Sequence, residues 1–406
     1  MRSSNKGRIL FVASSCPQRA GDWTSPFILD LACDLQGFGW QVDILVPHAP
    51  GLALSEKLSG VQIFRYRYFS PESQETVFYR GGALVNMRKN PLNWTKLPAA
   101  MTALNHNVYK YLRTGTYNLV HSHWIIPQGA IAGRAAKHFK LPHVATAHGS
   151  DVFGLKHPLA MQLKRYALTH ADAITVNSSA TAQEIMAIDS EACAPDIVPM
   201  SITAPKSAPK NEPASGRLNL LFLGRMVREK GIEELITALP DVANSLPNIR
   251  ITLAGDGQDR VEMENLVKHL KLNNIVQFAG AVSPADTCKF YEWADIVVCP
   301  SHFEAQGMVA AEALSYGKAV IAAEVGGLPD TVRHKKTGLL VPAHDAESLA
   351  VAIIKLGKDA NLRYFLGANG VHFAASTLQR PASARHFDAI YQRVIAARHH
   401  AHAAVM

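Results

Sequence analysis

Short apolar runs alternate with helical patterns along this chain of 406 residues, and the alternation stops once and then restarts. Such alternation is the signature of βαβ units, which build parallel sheets covered by helices. The interruption at 203–217 contains three prolines and no large apolar residue, a composition typical of a linker. The sequence therefore predicts two doubly wound, Rossmann-like α/β domains, 1–202 and 218–380, facing each other across a deep cleft, with a C-terminal helix in 381–406.

The predicted strands are short and almost entirely apolar, as expected for sheets buried on both faces. In the first domain they are 8–14, 41–47, 61–66, 119–123, 143–147, 173–176 and 197–200, and the helices include 26–36, 98–112 and 159–169. In the second they are 218–223, 249–254, 275–278, 296–299, 319–322 and 339–341, and the helices include 231–239, 259–270, 284–293, 307–314 and 347–356. A last helical stretch, 382–397, follows the completed second sheet.

The charge of the chain admits three kinds of partner. A formal charge of +8 at pH 7 is compatible with nucleic acid, an anionic membrane surface or phosphorylated substrates, or it only keeps the surface soluble. No zinc-ligand spacing, RNP-like aromatic pattern or arginine-rich helix accompanies that charge, which argues against nucleic acid. The hydrophobic fraction of 48% and charged fraction of 18% indicate a globular protein.

The sequence favours a cytoplasmic location. No apolar run approaches the roughly 18 residues of a membrane span, and the run at 9–13 is too short for the core of a signal peptide. The five cysteines form no Cys-x-x-Cys pair, and we expect them to be reduced and buried.

The strongest chemical signal lies between Ser301 and Glu312. The segment follows the apolar strand 296–299 and places Glu304 in a loop and Glu312 about a turn and a half into a helix. Helix amides can hold an anion, and carboxylates accept hydrogen bonds from sugar or ribose hydroxyls. The segment therefore suits a nucleotide-linked sugar.

A charged glycine loop, 224–231, follows the first strand of the second domain and opens a helix. Glycine lets the backbone approach an oxyanion closely. Arg225 can clamp that anion through two donors, and Lys230 adds a second positive charge. Two such cations can hold a diphosphate without a metal ion.

Two weaker glycine turns lie in the same domain. Gly255 follows the second strand, and Gly326 and Gly327 follow the fifth. Either turn could bring main-chain amides to a nucleotide, or could be an ordinary tight connection between a strand and a helix.

In the first domain, His148 and Asp151 follow the strand 143–147. A histidine at a carboxyl edge can be a hydrogen-bond partner or a proton carrier in the cleft. The alternative is a histidine satisfied locally by Asp151. His121 and His123 have a spacing that suits metal ligands, but no nearby acidic or cysteine set completes a site.

Two stretches, 64–69 and 85–94, mix basic and aromatic residues. We expect a strand edge and a solvated loop, and the alternative is a surface that contacts an acceptor or a membrane. Contact with an anionic membrane is a hypothesis that rests on the basic residues of this region: Arg65, Arg67, Arg80, Arg88, Lys89 and Lys96.

Together these motifs resemble those of the retaining, nucleotide-sugar-dependent glycosyltransferases of family 4, which have the GT-B fold. The resemblance covers nearly the whole chain. It rests on Glu304 and Glu312 in their Ser-x-x-Glu-x-x-Gly-x-x-x-x-Glu setting, on the 224–231 loop, and on His148-Gly149-Ser150-Asp151. The family's fold implies that the last helix crosses back onto the first domain.

The resemblance implies roles for individual residues. Arg225 and Lys230 would hold the donor diphosphate, and Glu312 would accept hydrogen bonds from the ribose hydroxyls. Glu304 and the amides of 306–309 would hold the donor sugar and the distal phosphate, and His148 would contact the sugar near the reacting centre. The other predicted site residues are Gly224, Gly255, Val282, Gln306, Gly307, Met308 and Val309 on the donor side and Gly21 and Asp151 on the acceptor side.

The implied reaction moves a sugar from a UDP- or GDP-sugar to an acceptor hydroxyl, with retention of anomeric configuration. No cofactor or divalent cation is expected, because Arg225, Lys230 and helix N-termini take up the leaving-group charge. Same-face attack with the leaving phosphate as base is favoured, and Glu304 as a covalent nucleophile is the alternative. The acceptor would be a glycan or a lipid-linked molecule, as in polysaccharide biosynthesis on the inner face of a membrane.

The chain departs from the family pattern in the loop after its first strand, which lacks the usual pair of glycines and leaves the acceptor and the role of Gly21 open. Ala305 also stands where many relatives have glycine. Two other functions compete with sugar transfer: a sugar-nucleotide epimerase of the same fold, and a protein that binds a nucleotide sugar without catalysis.

Overall fold

A computed structural model describes residues 5–19, 22, 24–79, 82–205 and 216–403, with side chains up to residue 400. It divides into two compact units. The first comprises Met1–Asn177, Thr181–Val198 and Ser383–Met406, and the second comprises Ser178–Ala180 and Pro199–Ala382. Gly21, Arg80 and residues 206–215 of the expected linker lie outside the described residues.

The first unit is built on an eight-stranded sheet. Its strands are β1 (Gly7–Val12), β2 (Trp40–Pro47), β3 (Ser55–Leu58), β4 (Val61–Tyr66), β5 (Leu119–His123), β6 (His143–Ala147), β7 (Ala173–Val176) and β8 (Asp196–Ile197). They pair in the order β3-β4-β2-β1-β5-β6-β7-β8, and all pairs are parallel except β3 with β4. The sheet is therefore doubly wound, with an antiparallel strand at one edge.

The α-helices between β1 and β8 follow in chain order within the described residues. They are α1 (Pro26–Gly37), α2 (Ala83–Lys89), α3 (Asn93–Leu112), α4 (Ala130–His138), α5 (Ser150–Phe153), α6 (Pro158–Thr169) and α7 (Ser179–Ile188).

The second unit is built on a six-stranded parallel sheet. Its strands are β9 (Leu218–Leu223), β10 (Ile249–Ala254), β11 (Val276–Gly280), β12 (Ile296–Cys299), β13 (Ala319–Ala323) and β14 (Gly338–Val341), in the order β11-β10-β9-β12-β13-β14. Its helices are α8 (Ile232–Ser245), α9 (Arg260–His269), α10 (Thr287–Trp293), α11 (Met308–Ser315), α12 (Leu328–Thr331), α13 (Ala346–Lys358) and α14 (Ala360–Phe373). This strand order is that of a Rossmann fold.

The last helix, α15 (Arg380–Ala403), packs on the first sheet although the second sheet precedes it in the chain. Tyr391 is fully buried in the same hydrophobic cluster as Ile9 of β1. The Asp388 carboxylate accepts a hydrogen bond from the Trp40 indole at 2.8 Å. An apolar face and a buried polar contact thus fix the helix on the first unit.

The expectation of a solvated loop at 85–94 is wrong. Within that stretch α2 ends at Lys89 and α3 begins at Asn93. The Asn93 side chain is buried and accepts a hydrogen bond from the Thr76 hydroxyl at 2.7 Å. Asparagine and proline at 90–91 indicate a turn, but the helices on either side of that turn are stabilised by burial, which the local pattern does not reveal.

Other elements also differ from the prediction. Strand β3 has the polar sequence Ser-Glu-Lys-Leu, which carries no buried-strand signal because it forms a sheet edge. The strand expected at 197–200 ends at Ile197. Helix α8 does not stop before Pro240 but continues to Ser245, because its apolar face stays buried through Val242.

The expectation of five buried cysteines is correct only for Cys16 and Cys299. All five are free thiols, but Cys33 and Cys288 are partly exposed and Cys193 is exposed. Cysteine burial depends on where the helices face, which the sequence alone did not establish. Within the described ranges, no helix combines the length and apolar character that crossing a membrane requires.

Candidate functional site

The predicted donor-side motifs lie where the second sheet reverses its strand order. β10 lies on one side of β9 and β12 on the other, so that the connecting helices leave in opposite directions. β9 and β12 pair over only two residues each and separate before their carboxyl ends. Open α/β sheets bind ligands in the crevice at such a point. Loop 224–231 follows β9, and loop 300–307 follows β12.

These two loops are fastened to each other through their backbones. Gly231 has a φ of +66°, and a Cβ atom there would lie 1.8 Å from the carbonyl oxygen of Pro300. Only glycine fits this position, because the backbone there is in the left-handed region and a side chain would collide with the Pro300 carbonyl. The His302 amide donates to the Glu229 carbonyl at 2.9 Å. The loops therefore form one structural piece.

That arrangement brings Lys230 and Glu304 together, one from each loop. The Lys230 ammonium donates a charge-assisted hydrogen bond to Glu304 Oε1, and the Ser301 hydroxyl donates to the same oxygen at 3.2 Å. The Lys230 and Glu304 side chains remain 24% and 22% exposed, so a ligand can reach both. Arg225 is exposed, and no described residue forms an ion pair with its guanidinium. The Lys230 cation beside the Glu304 carboxylate can hold a phosphate and a sugar hydroxyl.

Glu312 lies in α11, and the Tyr291 hydroxyl donates to its Oε2 at 2.6 Å. Burial raises the pKa of the Glu312 carboxyl and holds the pKa of the Tyr291 hydroxyl well above its usual value. Tyr291 was missed at the level of sequence, because a tyrosine in an apolar helix gives no sign of where its hydroxyl lies. The first turn of α11 also leaves amides without intrahelical partners, and such amides can bind an anion.

The Gln306 side chain holds the loop in place. It accepts from the Met200 amide at 2.7 Å and donates to the Met200 carbonyl at 2.9 Å. The Thr331 hydroxyl donates to the Gln306 carbonyl at 2.8 Å. Because the Gln306 side chain is occupied by Met200, we expect this segment to contact a ligand through its backbone amides. The remaining apolar donor-side residues are partly buried against the cluster beneath the loop: Val282, Met308 and Val309.

The two weaker glycine turns pack closely against these loops. A Cβ on Gly255 would lie 1.8 Å from the carbonyl oxygen of Gly224. A Cβ on Gly326 would lie 1.9 Å from the carbonyl oxygen of Glu304, and the Gly327 amide donates to that oxygen at 2.9 Å. Of the two interpretations of the Gly326-Gly327 turn, these contacts favour the tight structural connection.

In the first unit, His148 lies among aromatic rings. The ring centroids of Phe27 and Trp124 are each 4.9 Å from that of His148, and its Nε2 is 3.2 Å from His123 Nδ1. Burial lowers the pKa of His148 to about 3, so the ring is neutral near pH 7. Its Nδ1 has no hydrogen-bond partner among the described residues. Its role as a sugar contact stays a prediction.

Asp151 is buried and bonded to backbone rather than to the imidazole of His148. One carboxylate oxygen accepts from the Ile125 amide at 2.7 Å, and the other accepts from the His148 amide at 3.0 Å. The alternative of a ring satisfied by Asp151 is therefore wrong. Asp151 fixes the turn that carries His148, and its acceptor-side role stays a prediction.

His121 and His123 belong to a buried hydrogen-bond network. His121 Nδ1 is 2.7 Å from the Tyr391 hydroxyl, and its Nε2 is 2.6 Å from the Thr146 hydroxyl. Burial holds the pKa of both histidines well below the ordinary value. Two hydroxyl partners leave His121 with no nitrogen free to bind a metal ion.

Comparisons with known proteins cover most of the chain. Residues 25–199 match the Glycosyltransferase Family 4 model, and residues 204–372 match the model of Glycosyl transferases group 1. An uncharacterized glycosyltransferase of Methanocaldococcus jannaschii is 31% identical over 259 residues, which are 63% of this chain and 70% of that protein. A D-inositol 3-phosphate glycosyltransferase of Corynebacterium kroppenstedtii is 28% identical over 345 residues, 77% of this chain and 76% of that protein.

Solved structures resemble the chain over nearly its full length. Sucrose-phosphate synthase from Thermosynechococcus elongatus has a TM-score of 0.73 at 23% identity, over 97% of this chain and 100% of that one. HepE from Anabaena, in complex with UDP, has a TM-score of 0.70 at 17% identity, over 95% and 100%. These likenesses and the two sheets, parallel except for the β3–β4 pair, define a protein of the GT-B fold.

The chain belongs to the glycosyltransferases of family 4. It is therefore a glycosyltransferase. Because both matching models describe glycosyltransferases, the epimerase alternative is not favoured.

Proposed function

We propose that this glycosyltransferase is a retaining, metal-independent enzyme that moves a sugar from a nucleoside-diphosphate sugar to an acceptor hydroxyl. The observation that carries the proposal is the contact of Lys230 with Glu304 at the switch point of the second sheet. Further support comes from structural neighbours, since HepE has been solved with UDP-glucose and a starch synthase of Arabidopsis thaliana with ADP and acarbose.

In the proposed reaction, the charge of each site residue determines which part of the donor it contacts. The bond between the sugar and the diphosphate breaks, and negative charge collects on the leaving phosphate. Arg225, Lys230 and the α11 amides neutralise that charge in place of a metal ion. Glu304 accepts hydrogen bonds from the sugar, and Glu312 accepts them from the ribose. The acceptor oxygen attacks the same face of the sugar, and the leaving phosphate takes the acceptor's proton.

The proposal predicts stabilisation by a nucleotide without metal. In EDTA, UDP, GDP or a corresponding sugar nucleotide should raise the melting temperature, and Glu312→Ala should remove most of that increase because the ribose loses its acceptor. Thermal shift and donor hydrolysis measure this. Glu347→Ala, at an exposed carboxylate in the first turn of α13, is the matched control and should respond like the wild type.

Three outcomes separate the candidate functions. Stabilisation with transfer to an acceptor, and the same anomer in product as in donor by NMR, supports the proposal. Stabilisation without hydrolysis or transfer favours a binding protein without catalysis. No stabilisation by any nucleotide contradicts the proposed donor.

The acceptor proposed here is carried by a membrane surface. Arg65 and Lys96 do not contribute to that surface, because both are buried, the Arg65 guanidinium 2.5 Å from Glu56. The turn between α2 and α3 and the start of α3 do contribute: Leu92 is 68% and Trp94 is 48% exposed, and Lys89 at the end of α2 is exposed too. Apolar and aromatic side chains next to basic ones are typical of a peripheral membrane contact.

We expect the chain to sediment with anionic vesicles more than with neutral ones. Leu92→Ser with Trp94→Ser should reduce the bound fraction several-fold, because the inserted apolar area is lost. Leu159→Ser is the control, since Leu159 is equally exposed, at 69%, on α6. Equal sedimentation with both kinds of vesicle, or equal loss with the control, would contradict the membrane contact.

A further inference from the structure

Three potential metal ligands from three different elements meet on the second unit. His302 Nε2 is 2.8 Å from Glu234 Oε1, and His344 Nδ1 is 3.5 Å from the same oxygen. The two imidazole rings have centroids 3.8 Å apart. All three ligand atoms lie within 4.8 Å of one another. This group, Glu234 with His302 and His344, is called the His-His-Glu cluster below.

The surrounding structure holds each ligand in position. Glu234 is in the first turn of α8, and His344 lies two residues before α13 begins. The helices α8 and α13 share one hydrophobic cluster. His302 is tied by its amide to the carbonyl of Glu229. Ligands on packed elements keep their geometry without a large ordering cost when an ion binds.

The distances suit a small transition-metal ion. Metal–ligand bonds of about 2.1 Å in a tetrahedral site separate the ligand atoms by about 3.4 Å. The observed separations of 2.8 and 3.5 Å lie on either side of that value, so side-chain adjustment alone is enough. The second oxygen, Glu234 Oε2, is buried and has no hydrogen-bond partner among the described residues. A buried carboxylate oxygen without a donor favours a nearby cation.

We propose that the His-His-Glu cluster binds one divalent transition-metal ion, with Zn²⁺ as the best match. Two imidazoles and one carboxylate are ligands that zinc accepts, whereas Mg²⁺ and Ca²⁺ require oxygen ligands. The His344 side chain is 63% exposed, so the fourth position opens to water.

The bound ion acts as a clip on the loop after β12. It joins His302, two residues before Glu304, to helix α8, which begins at Ile232. The ion does not replace the cations of the proposed donor site, because Lys230 already contacts Glu304. The zinc site uses none of the residues assigned to the donor, so either proposal could fail alone.

The test counts zinc ions on the whole chain. Protein stripped with EDTA and dialysed is titrated with Zn²⁺ by calorimetry, for the wild type, His302→Ala and His344→Asn. Asparagine suits the left-handed backbone of His344, whose φ is 60°, and is a poor zinc ligand. His269→Ala, at an exposed histidine of α9, is the control. Each cluster variant should lose one equivalent of zinc that the control retains.

The difference in stoichiometry is the readout because His399 and His400 near the C-terminus can bind zinc in every variant. Zn²⁺ should also raise the melting temperature of the wild type above its value in EDTA, and Mg²⁺ should not. The cluster variants should match the wild type in EDTA and lose the zinc-dependent increase. Equal zinc equivalents in all four proteins would overturn the proposal and leave a histidine–carboxylate ion pair only.

Discussion

Replacing Lys230 with alanine should lower kcat/KM for the nucleotide sugar by about 100- to 1,000-fold, the range seen when one preorganised charge-stabilising group is removed. The effect should fall mainly on kcat, because the diphosphate gains a further negative charge as the sugar departs. Both Lys230 and Glu304 are partly exposed, so the lost ion pair should change the free energy of unfolding by less than about 1 kcal/mol.

Steady-state kinetics and urea unfolding measure the two effects of Lys230→Ala separately. Arg228→Ala is the matched control, because Arg228 is an exposed cation on the same loop that pairs with Glu262 instead. That control should stay within about two- to three-fold of the wild type, as expected for the loss of a surface charge. Equal losses in Lys230→Ala and Arg228→Ala would show that the loop supplies only a general positive field.

A double-mutant cycle resolves how Lys230 and Glu304 cooperate. If they act as one unit, Lys230→Ala combined with Glu304→Gln should cost little more than the worse single variant. If each contacts a different part of the donor independently, the two losses should multiply. The independent result would leave the charge role of Lys230 intact but separate it from the sugar contact assigned to Glu304.

The strands of the second sheet, and the loops that follow them, were predictable from the sequence. The strands of the second sheet were placed almost to the residue, because each is a compact apolar run bounded by glycine or charge. The sequence does not give the order of the strands in the sheet. The motifs after β9 and β12 were nevertheless expected at the same edge of the sheet, because both follow carboxyl ends of parallel strands. The Lys230–Glu304 contact is a consequence of that topology.

The roles of buried polar side chains were not predictable. Gln306 was assigned through its segment, but its side chain bonds the backbone of Met200, which is more than a hundred residues earlier in the chain. Asp151 lies three residues from His148, and yet it bonds backbone amides rather than the ring. Spacing in the sequence predicts which residues lie near each other. Which donor a buried carboxylate or amide bonds depends on side-chain directions, and those are set by packing.

The largest effect on stability is expected for Gly231→Ala. A left-handed backbone costs an L-residue about 1–2 kcal/mol. A Cβ atom at its ideal position on residue 231 would lie 1.8 Å from the carbonyl oxygen of Pro300, so that carbonyl would also have to move. Together these terms should lower the free energy of unfolding of the second unit by about 2–4 kcal/mol, at the upper end of single substitutions.

Hydrogen exchange by mass spectrometry should localise this loss. Peptides covering α8 and loop 300–307 should lose protection in Gly231→Ala, and peptides of β1 and β2 should not. Gly37→Ala is the control, because a Cβ at the end of α1 meets no atom within 4 Å and should leave stability unchanged or slightly higher. If Gly231→Ala instead unfolds like the wild type, loops 224–231 and 300–307 are not held by this close backbone approach. The position of Lys230 beside Glu304 would then depend on their ion pair alone, and the stability and activity effects of the two loops would be separable.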